Sequence, residues 1–331
     1  MLESFEFRPT MRVVSELNSS EASPYEVLLY YRYVPIEDPE RYHQEHRELC
    51  ESLDLRGRII VGKEGINGTV SGTSENTQKY REALRSDPRT SDIEFKVDPA
   101  EAHVFPKLSI KVREEIVTLG LDEAEDIDPN ELTGERLSPR EFYEAMQEND
   151  VVLIDGRNDY EAELGHFKNA ICPPIGNFRE FPDWLKEHEA ELRGKKILTY
   201  CTGGIRCEKL SGLIRNEGFD EVFQLDGGIV KYGKDPETRG RDFDGLCYVF
   251  DQRVGVEVNH TETRRIISHC RFCGVEEPNY GNCNWPDCNA QIFVCPECRN
   301  KHGLYCGDSC RDFHEAEIAA PVPERTTSQP S

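Results

Sequence analysis

A single cysteine near the middle of the chain stands between a strand-like run and a helix-like run. Residues 195–200 are mostly apolar and β-branched, which predicts a buried strand, and residues 207–217 place apolar side chains on one helical face. Cys201 therefore lies where a strand ends and a helix begins, so that backbone N–H groups converge on its sulfur. Such a setting lowers the pKa of a thiol and favours the reactive thiolate.

The residues that follow Cys201 have the types that such a loop needs. Paired glycines allow positive φ, so the loop can curl around the sulfur, and Arg206 supplies a fixed positive charge. Cys201 and Arg206 are thus the candidate catalytic residues, supported by the loop residues Thr202, Gly203, Gly204 and Ile205. Cys207 is open to two interpretations, as a partner that forms a disulfide with Cys201 or as a small apolar residue of the helix.

A second set of cysteines lies near the end of the chain and has the spacing of metal ligands. Four closely spaced pairs predict two structural zinc sites with four thiolates each, although the spacing does not say which pairs combine. Four disulfides would need an oxidising compartment, and the cysteine run typical of iron–sulfur clusters is absent. The eight candidate ligands are Cys270, Cys273, Cys283, Cys288, Cys295, Cys298, Cys306 and Cys310.

The first part of the chain has the pattern of a small α+β sandwich. Strand-like and helix-like runs between residues 24 and 121 follow the order β-α-β-β-α-β, which predicts a ferredoxin-like, or acylphosphatase-like, domain. The glycine-rich stretch 62–69 lacks the Gly-x4-Gly-Lys pattern of a phosphate loop and is followed by a strand-like run. It therefore predicts a hairpin, and no nucleotide cofactor is evident.

Composition and charge limit the remaining possibilities. The 331 residues include 40 basic and 63 acidic side chains, no segment is basic, and no apolar run is long enough to span a membrane. Without a signal peptide either, we expect a cytoplasmic protein of several domains. The predicted order is a mobile leader (1–23), the ferredoxin-like domain (24–121), an acidic linker (122–137), an open α/β domain (138–234), a cysteine-rich zinc region (235–314) and a disordered tail (315–331).

Three ordered motifs make the open α/β domain resemble rhodanese domains. The loop is Cys-x-x-Gly-x-Arg from Cys201 to Arg206, preceded by similar signatures at 153–157 and 160–170 and followed by one at 218–229. The resemblance implies a rhodanese-like open α/β sheet with the reactive cysteine at the carboxyl end of a strand. Asp155 and Arg157 are expected to form an ion pair beneath the loop.

Over residues 25–312 the chain closely resembles the rhodanese-type tRNA uridine hydroxylases. The similarity rests on Glu64-Gly65-Ile66-Asn67-Gly68-Thr69, on the stretch from Tyr200 to Lys209 and on the cysteine-rich end. It implies an oxidoreductase that uses molecular oxygen to hydroxylate the wobble uridine of tRNA, position 34, at carbon 5. Cys201 is then the active-site cysteine.

Two other functions compete with this one. The loop chemistry alone favours a thiosulfate or persulfide sulfurtransferase with a Cys201 persulfide, and a zinc-stabilised RNA-binding adaptor without activity is the third hypothesis. The intact Cys201 and Arg206 argue against the adaptor. The sequence identifies neither a reductant nor a sulfur donor. An acidic protein that binds tRNA needs local cations, and the candidates are Lys63, Lys107, Lys111, Arg113 and Lys209.

Overall fold

The computed structural model describes residues 23–122, 126–288 and 290–319, and these fall into two compact units that are divided between Arg265 and Ile266. The predicted leader lies outside the described residues except for Ser23. Most of the predicted tail also lies outside them, but its first residues, through Ala319, belong to a helix instead. None of the described helices is both long and apolar enough to cross a membrane.

The first domain confirms the predicted ferredoxin-like order. Its five-stranded sheet has the order β4-β1-β3-β2-β5, antiparallel except where β5 runs parallel to β2. Leu28, Tyr30 and Val70 point from the sheet into the core beneath the two helices, as alternation along a strand requires. The elements are β1 (Tyr25–Tyr33), α1 (Pro39–Ser52), β2 (Arg56–Gly62), β3 (Gly65–Thr73), α2 (Ser74–Ser86), β4 (Phe95–Ala100) and β5 (Leu108–Val112).

The second domain is the predicted open sheet, with the strand order β6-β10-β9-β7 and all pairs parallel. Ser138 and Glu141 form a capping box at the start of its first helix. The elements are β6 (Glu135–Leu137), α3 (Pro139–Ala145), β7 (Val151–Asp155), α4 (Asp159–Leu164), β8 (Gly165–Phe167), α5 (Phe181–Leu192), β9 (Lys196–Tyr200), α6 (Ile205–Asn216), β10 (Val222–Leu225) and α7 (Gly228–Lys234).

Strands on both sides of the predicted limits of this domain, residues 138 and 234, pair with its strands. The acidic linker was expected to reach residue 137, but β6 pairs with β10, so the linker's last residues form an edge strand. The cysteine-rich region was expected to begin at residue 235. Instead, β11 (Phe243–Gly245) pairs with β8, and β12 (Cys247–Tyr248) pairs with β13 (Gly255–Val256) within the larger unit. Phe243 and Val258 are buried with Phe167, which explains why this segment packs on the second domain.

The smaller unit contains all eight closely spaced cysteines. It has a two-stranded antiparallel sheet and two helices, and its small apolar cluster includes Ile292 and Val294 beside Cys270 and Cys295. The elements are β14 (Tyr280–Asn282), β15 (Gln291–Phe293), α8 (Pro296–His302) and α9 (Asp308–Ala319). A core this small needs a further source of stability, such as bound metal.

Candidate active site

The loop around Cys201 has the predicted strand-to-helix geometry. Strand β9 ends at Tyr200 and α6 begins at Ile205, and the Gly204 N–H donates to the Cys201 Sγ at 3.2 Å. Gly204 has a φ of +102°, which a residue with a side chain rarely adopts. The Ile229 N–H at the start of α7 donates to the Cys201 carbonyl at 2.9 Å. The hydrogen bonds from Gly204 and Ile229 therefore fix the conformation of the loop around the sulfur.

The electrostatics of this loop favour the Cys201 thiolate. Burial opposes ionisation, but hydrogen bonds from Cys207 and Gly204 and the charge of Arg206 outweigh it and lower the pKa of Cys201 to about 6. Burial instead raises the pKa of Cys50, Cys172 and Cys247 to about 12 in each case. Cys201 thus differs from the other isolated cysteines of the larger unit, which act as packing residues.

Cys207 lies in the first turn of α6, and its side chain favours the ionisation of Cys201. Both side chains are buried and both thiols are free. Burial and the neighbouring Cys201 sulfur raise the pKa of Cys207 well above its usual value, so that Cys207 stays protonated while Cys201 ionises. The structure therefore indicates a role for Cys207 that neither interpretation of the sequence included. Its thiol stabilises the Cys201 thiolate.

Arg206, which the sequence predicted to supply a fixed positive charge at the loop, is buried. The residue is 8% exposed, and its guanidinium forms a two-pronged ion pair with the buried Glu161, at 2.6 Å and 2.8 Å. Glu161 lies in one of the rhodanese signatures, but its partner could not be identified from spacing. Because the pair is rigid and desolvated, Arg206 acts on Cys201 as a fixed charge.

The predicted ion pair between Asp155 and Arg157 is present and fully buried, with 2.6 Å between Arg157 Nη2 and Asp155 Oδ2. Arg157 also donates to the Gly165 carbonyl at 2.6 Å. His166, beside that glycine, has its Nδ1 2.8 Å from the Ala162 carbonyl. These contacts join the end of β7 to the start of β8 and β8 to α4, and they indicate structural roles for all three side chains.

The first domain covers the loop with one face of its sheet. Leu29 contacts Gly203 so closely that a Cβ there would lie 2.8 Å from the leucine, and a Cβ at Gly204 would lie 2.9 Å from the Tyr31 hydroxyl. Tyr33 donates to the Ile205 carbonyl at 3.4 Å. These side chains alternate with the core residues of β1, so the face opposite the helices meets the loop. The glycines of the loop are therefore needed for this close approach as well as for its curvature.

Glu208 connects the two domains behind the loop, and the sequence analysis did not find it. Its carboxylate accepts from the Tyr31 hydroxyl at 2.9 Å and from Arg136 at 2.9 Å, and Thr133 and Gln224 donate to its other oxygen. The side chain is only 2% exposed. Its partners come from three distant parts of the chain, which no spacing pattern could indicate.

The prediction that Lys209 contacts RNA is wrong, because its side chain is completely buried. Its ammonium pairs with Glu64 at 2.9 Å, Glu115 at 2.7 Å and Asp126 at 3.4 Å. Glu64 also accepts from the Ile116 N–H at 2.6 Å. The glycine-rich stretch is the predicted hairpin between β2 and β3, and its Glu64 anchors the first domain to α6.

The other predicted RNA contacts are exposed. Lys107, Lys111 and Arg113 lie in the edge strand β5 or directly next to it. Lys63 is near them, because the Arg113 carbonyl lies beside the preceding residue, Gly62. Among the described residues, none of these four side chains has an ion-pair partner. Arg58 of the neighbouring strand is also exposed and was not singled out from the sequence. Unlike Lys209, these cations are available to a ligand.

In the smaller unit the eight predicted metal ligands form two groups. Cys270 and Cys273 combine with Cys295 and Cys298, and the other group is Cys283, Cys288, Cys306 and Cys310. Within each group the sulfur atoms lie within 4.8 Å of one another. The first pair thus combines with the third and the second with the fourth, an interleaved arrangement that the sequence left open. Both groups could hold a metal ion.

The lowered pKa predicts how the reactivity of Cys201 depends on pH. Because the thiolate forms as the pH rises through about 6, alkylation by iodoacetamide should reach half its maximal rate near that pH. The rate is measured by mass spectrometry of the Cys201 peptide, with the Cys172 peptide as an internal control that stays unreactive. A midpoint at or above about 8.5, the value of an ordinary thiol, would contradict the assignment.

Comparison with known proteins agrees with this architecture. Three family descriptions match in order: "UPF0176 acylphosphatase like domain" over residues 25–116, "Rhodanese-like domain" over 138–235 and "Rhodanase C-terminal" over 244–311. Proteins named tRNA uridine(34) hydroxylase from Bacillus cytotoxicus and Bacillus cereus are each 54% identical over 288 residues. The matches cover 87% of this chain and 88% and 89% of those relatives. The chain therefore belongs to the tRNA uridine(34) hydroxylase family.

Proposed function

We propose that this chain is an oxidoreductase that hydroxylates the wobble uridine of tRNA, position 34, at carbon 5. The observation that carries the proposal is the loop that places the Gly204 N–H against the Cys201 sulfur and favours its thiolate, in a chain that matches tRNA uridine(34) hydroxylases along most of its length. Since tRNA is the substrate, the protein acts in the cytoplasm.

Cys201 acts as a nucleophile in this proposal. The C5=C6 bond of uracil is conjugated with the carbonyl at carbon 4, so a thiolate can add at carbon 6 and make carbon 5 electron-rich. Dioxygen then supplies the hydroxyl oxygen. For the balance, the C5–H bond becomes C5–OH, the second oxygen atom leaves as water, and a reductant provides two electrons while two protons are taken up. A thiolate at neutral pH is what the first step requires, and the loop provides it.

A persulfide sulfurtransferase is the second candidate, because amides that converge on a sulfur atom would also stabilise a Cys201 persulfide. Nucleoside mass spectrometry of tRNA from a strain that lacks the gene separates the two. We expect 5-hydroxyuridine-type nucleosides to disappear and to return when the wild-type gene is restored. Loss of a thiolated nucleoside instead would favour sulfur transfer, and an unchanged nucleoside profile would favour an RNA-binding adaptor.

Both cysteine groups are proposed to hold structural zinc. Thiolates at roughly 2.3 Å from a zinc ion lie about 3.8 Å apart in a tetrahedron. The Cys273 and Cys295 sulfurs are 3.7 Å apart, and those of Cys288 and Cys306 are 3.6 Å apart. Four thiolates leave no open coordination position, so zinc here would stabilise the fold and take no part in the chemistry.

The exposed cations of the first domain are proposed to bind the tRNA backbone. Cross-strand pairing places Tyr31 opposite Asn67, Asn67 opposite Ile60, and Ile60 opposite Lys111. Lys111 therefore lies on the sheet face that presents Tyr31 to the Cys201 loop. Three strand spacings separate Tyr31 from Lys111, about 14 Å. A nucleotide chain that enters the site could therefore cross this edge, although the protein as a whole is acidic.

Changing Lys107, Lys111 and Arg113 together to alanine should weaken tRNA binding and flatten its dependence on salt. Each lost phosphate contact lowers the slope of log affinity against log salt by about 0.7 to 0.9. Filter binding at several salt concentrations measures this, and Lys79→Ala, which changes an exposed lysine on α2, is the matched control. A triple variant with the wild-type slope would show that the tRNA binds elsewhere.

A further inference from the structure

A small cleft lies between the first domain and the part of the second domain that contains Arg136, Glu208 and Asp226. Its volume is about 190 Å³, and it is lined by residues of β1, β4, β6, α6 and the turn after β10, among them Tyr31, Lys96, Glu208 and Asp226. Typical ligand pockets measure roughly 300–1,000 Å³, so this cleft suits a single base. Tyr31 touches both the cleft and the loop glycine Gly204.

The other cations near the cleft are already paired. Arg32 forms an ion pair with Asp92 at 3.0 Å, and Arg136 pairs with Glu208 at 2.9 Å. The carboxylates of Glu94 and Asp226 both bind Lys231, at 3.0 Å and 2.6 Å. The charges that line the cleft therefore largely cancel one another.

Lys96 is the exception. The residue is 7% exposed, and its ammonium has no hydrogen bond or ion pair with any residue that the structure describes. It lies 4.9 Å from the centre of the Tyr31 ring. Burial lowers the pKa of Lys96, whereas Glu94, Asp226 and Cys201 act in the opposite direction. Lys96 is therefore a largely buried positive charge without an ion-pair partner among the described residues, and its ammonium is free to bind a negatively charged or polar atom of a ligand.

Strand pairing directs Lys96 toward the loop. Lys96 is directly opposite Leu29 in the antiparallel pair of β4 and β1, so both side chains point to the same face of the sheet. Leu29 is the side chain that contacts Gly203. Lys96 therefore occupies the same face as the groups that cover Cys201.

We propose that Lys96 binds the oxygen at carbon 4 of the substrate uracil and stabilises the negative charge that develops there when Cys201 adds to carbon 6. This inference rests on the proposed function and extends it to a second residue of the same site. In the addition, the S–C6 bond forms and the C5=C6 π bond breaks. The electron pair moves through carbon 5 to the carbon 4 oxygen, and Lys96 donates a hydrogen bond to it without losing its proton.

The test compares Lys96→Met with Lys79→Met, which removes an exposed lysine of α2 outside the cleft. Because the lost donor acts on a charge that develops in the transition state, we expect the single-turnover rate of hydroxylation at saturating tRNA to fall by about 10²- to 10³-fold. The Kd for tRNA should change less than about threefold, and Lys79→Met should match the wild type in both. Lys96→Arg, which keeps the charge, should restore part of the rate.

A different result would identify a different ligand. If Lys96→Met weakens tRNA binding and lowers its salt slope while the rate at saturation is unchanged, Lys96 binds a phosphate, and the proposal for the base oxygen is wrong. Thermal unfolding of each variant, compared with the wild type, shows whether the domains remain folded.

A second measurement does not depend on hydroxylation. Iodoacetate and iodoacetamide differ in charge but both alkylate thiolates, and a cation in the cleft favours the anionic reagent. The rate of iodoacetate divided by the rate of iodoacetamide at Cys201 should fall in Lys96→Met and stay unchanged in Lys79→Met. An unchanged ratio in Lys96→Met would contradict the placement of this charge beside Cys201. If the ratio falls but the wild-type protein does not hydroxylate tRNA, the anion site stands and the proposed function fails.

Discussion

Replacing Cys201 by serine should reduce hydroxylation of tRNA by at least about 10³-fold, since the substitution removes the nucleophile. The serine hydroxyl fits the same space, but the loop cannot ionise it near neutral pH. The measurement is the single-turnover rate with purified protein and an unmodified tRNA transcript. Binding of the transcript should remain within about threefold of the wild type, since the thiol contributes to the chemistry and not to contacts with the RNA backbone.

Cys172→Ser is the matched control for this variant. Cys172 is half-buried in the same domain, and burial raises its pKa to about 12, so that it takes no part as a thiolate. We expect this variant to retain the wild-type rate. A Cys201→Ser protein that is folded and still hydroxylates at the wild-type rate would show that the reaction does not need the thiolate.

Removal of metal should unfold the smaller unit and leave the larger one folded. The smaller unit has a small apolar cluster beside its cysteine groups, and structural zinc sites supply apparent binding free energies of roughly 10–16 kcal/mol to folding. Hydrogen exchange after treatment with a chelator should show loss of protection in residues 266–319 only. Metal analysis of protein purified without added metal should give about two zinc ions per chain.

Single substitutions test the interleaved arrangement of the cysteines. Cys273→Ser should remove one zinc ion, and Cys288→Ser should remove the other, because the two residues belong to different groups. The double variant Cys273→Ser with Cys298→Ser should also lose only one ion. Loss of both ions in that double variant, or the absence of metal from the wild-type protein with all eight thiols reactive, would contradict the assignment.

Local patterns were sufficient to predict the elements that carry the site. The strand-like and helix-like runs of the first domain and the apolar run of β9 are local signals, and the structure confirms them. The position of Cys201 at the end of a strand follows from them. The pairing of β6 with β10 and of β11 with β8 was not predicted, because β6 and β11 are short strands whose partners are distant in sequence.

The electrostatic partners in the site could not be predicted, because they are brought together by tertiary packing. Lys209 looked like an exposed cation beside the loop, yet three carboxylates from the first domain and the linker enclose it. Lys96 has no sequence motif, and its significance depends on the cross-strand neighbour Leu29 and on the pairing of every cation around it. The same holds for the combination of cysteine pairs, since their spacing is compatible with more than one arrangement.

The most direct test of the proposed function is the reaction of the purified protein with a tRNA transcript under isotopically heavy dioxygen. The uridine at position 34 should gain one oxygen atom that carries the heavy isotope, as read by mass spectrometry of the digested tRNA, and a transcript with cytidine at that position should gain none. Incorporation of oxygen from water, or the appearance of sulfur in place of oxygen, would contradict hydroxylation by dioxygen at the Cys201 site.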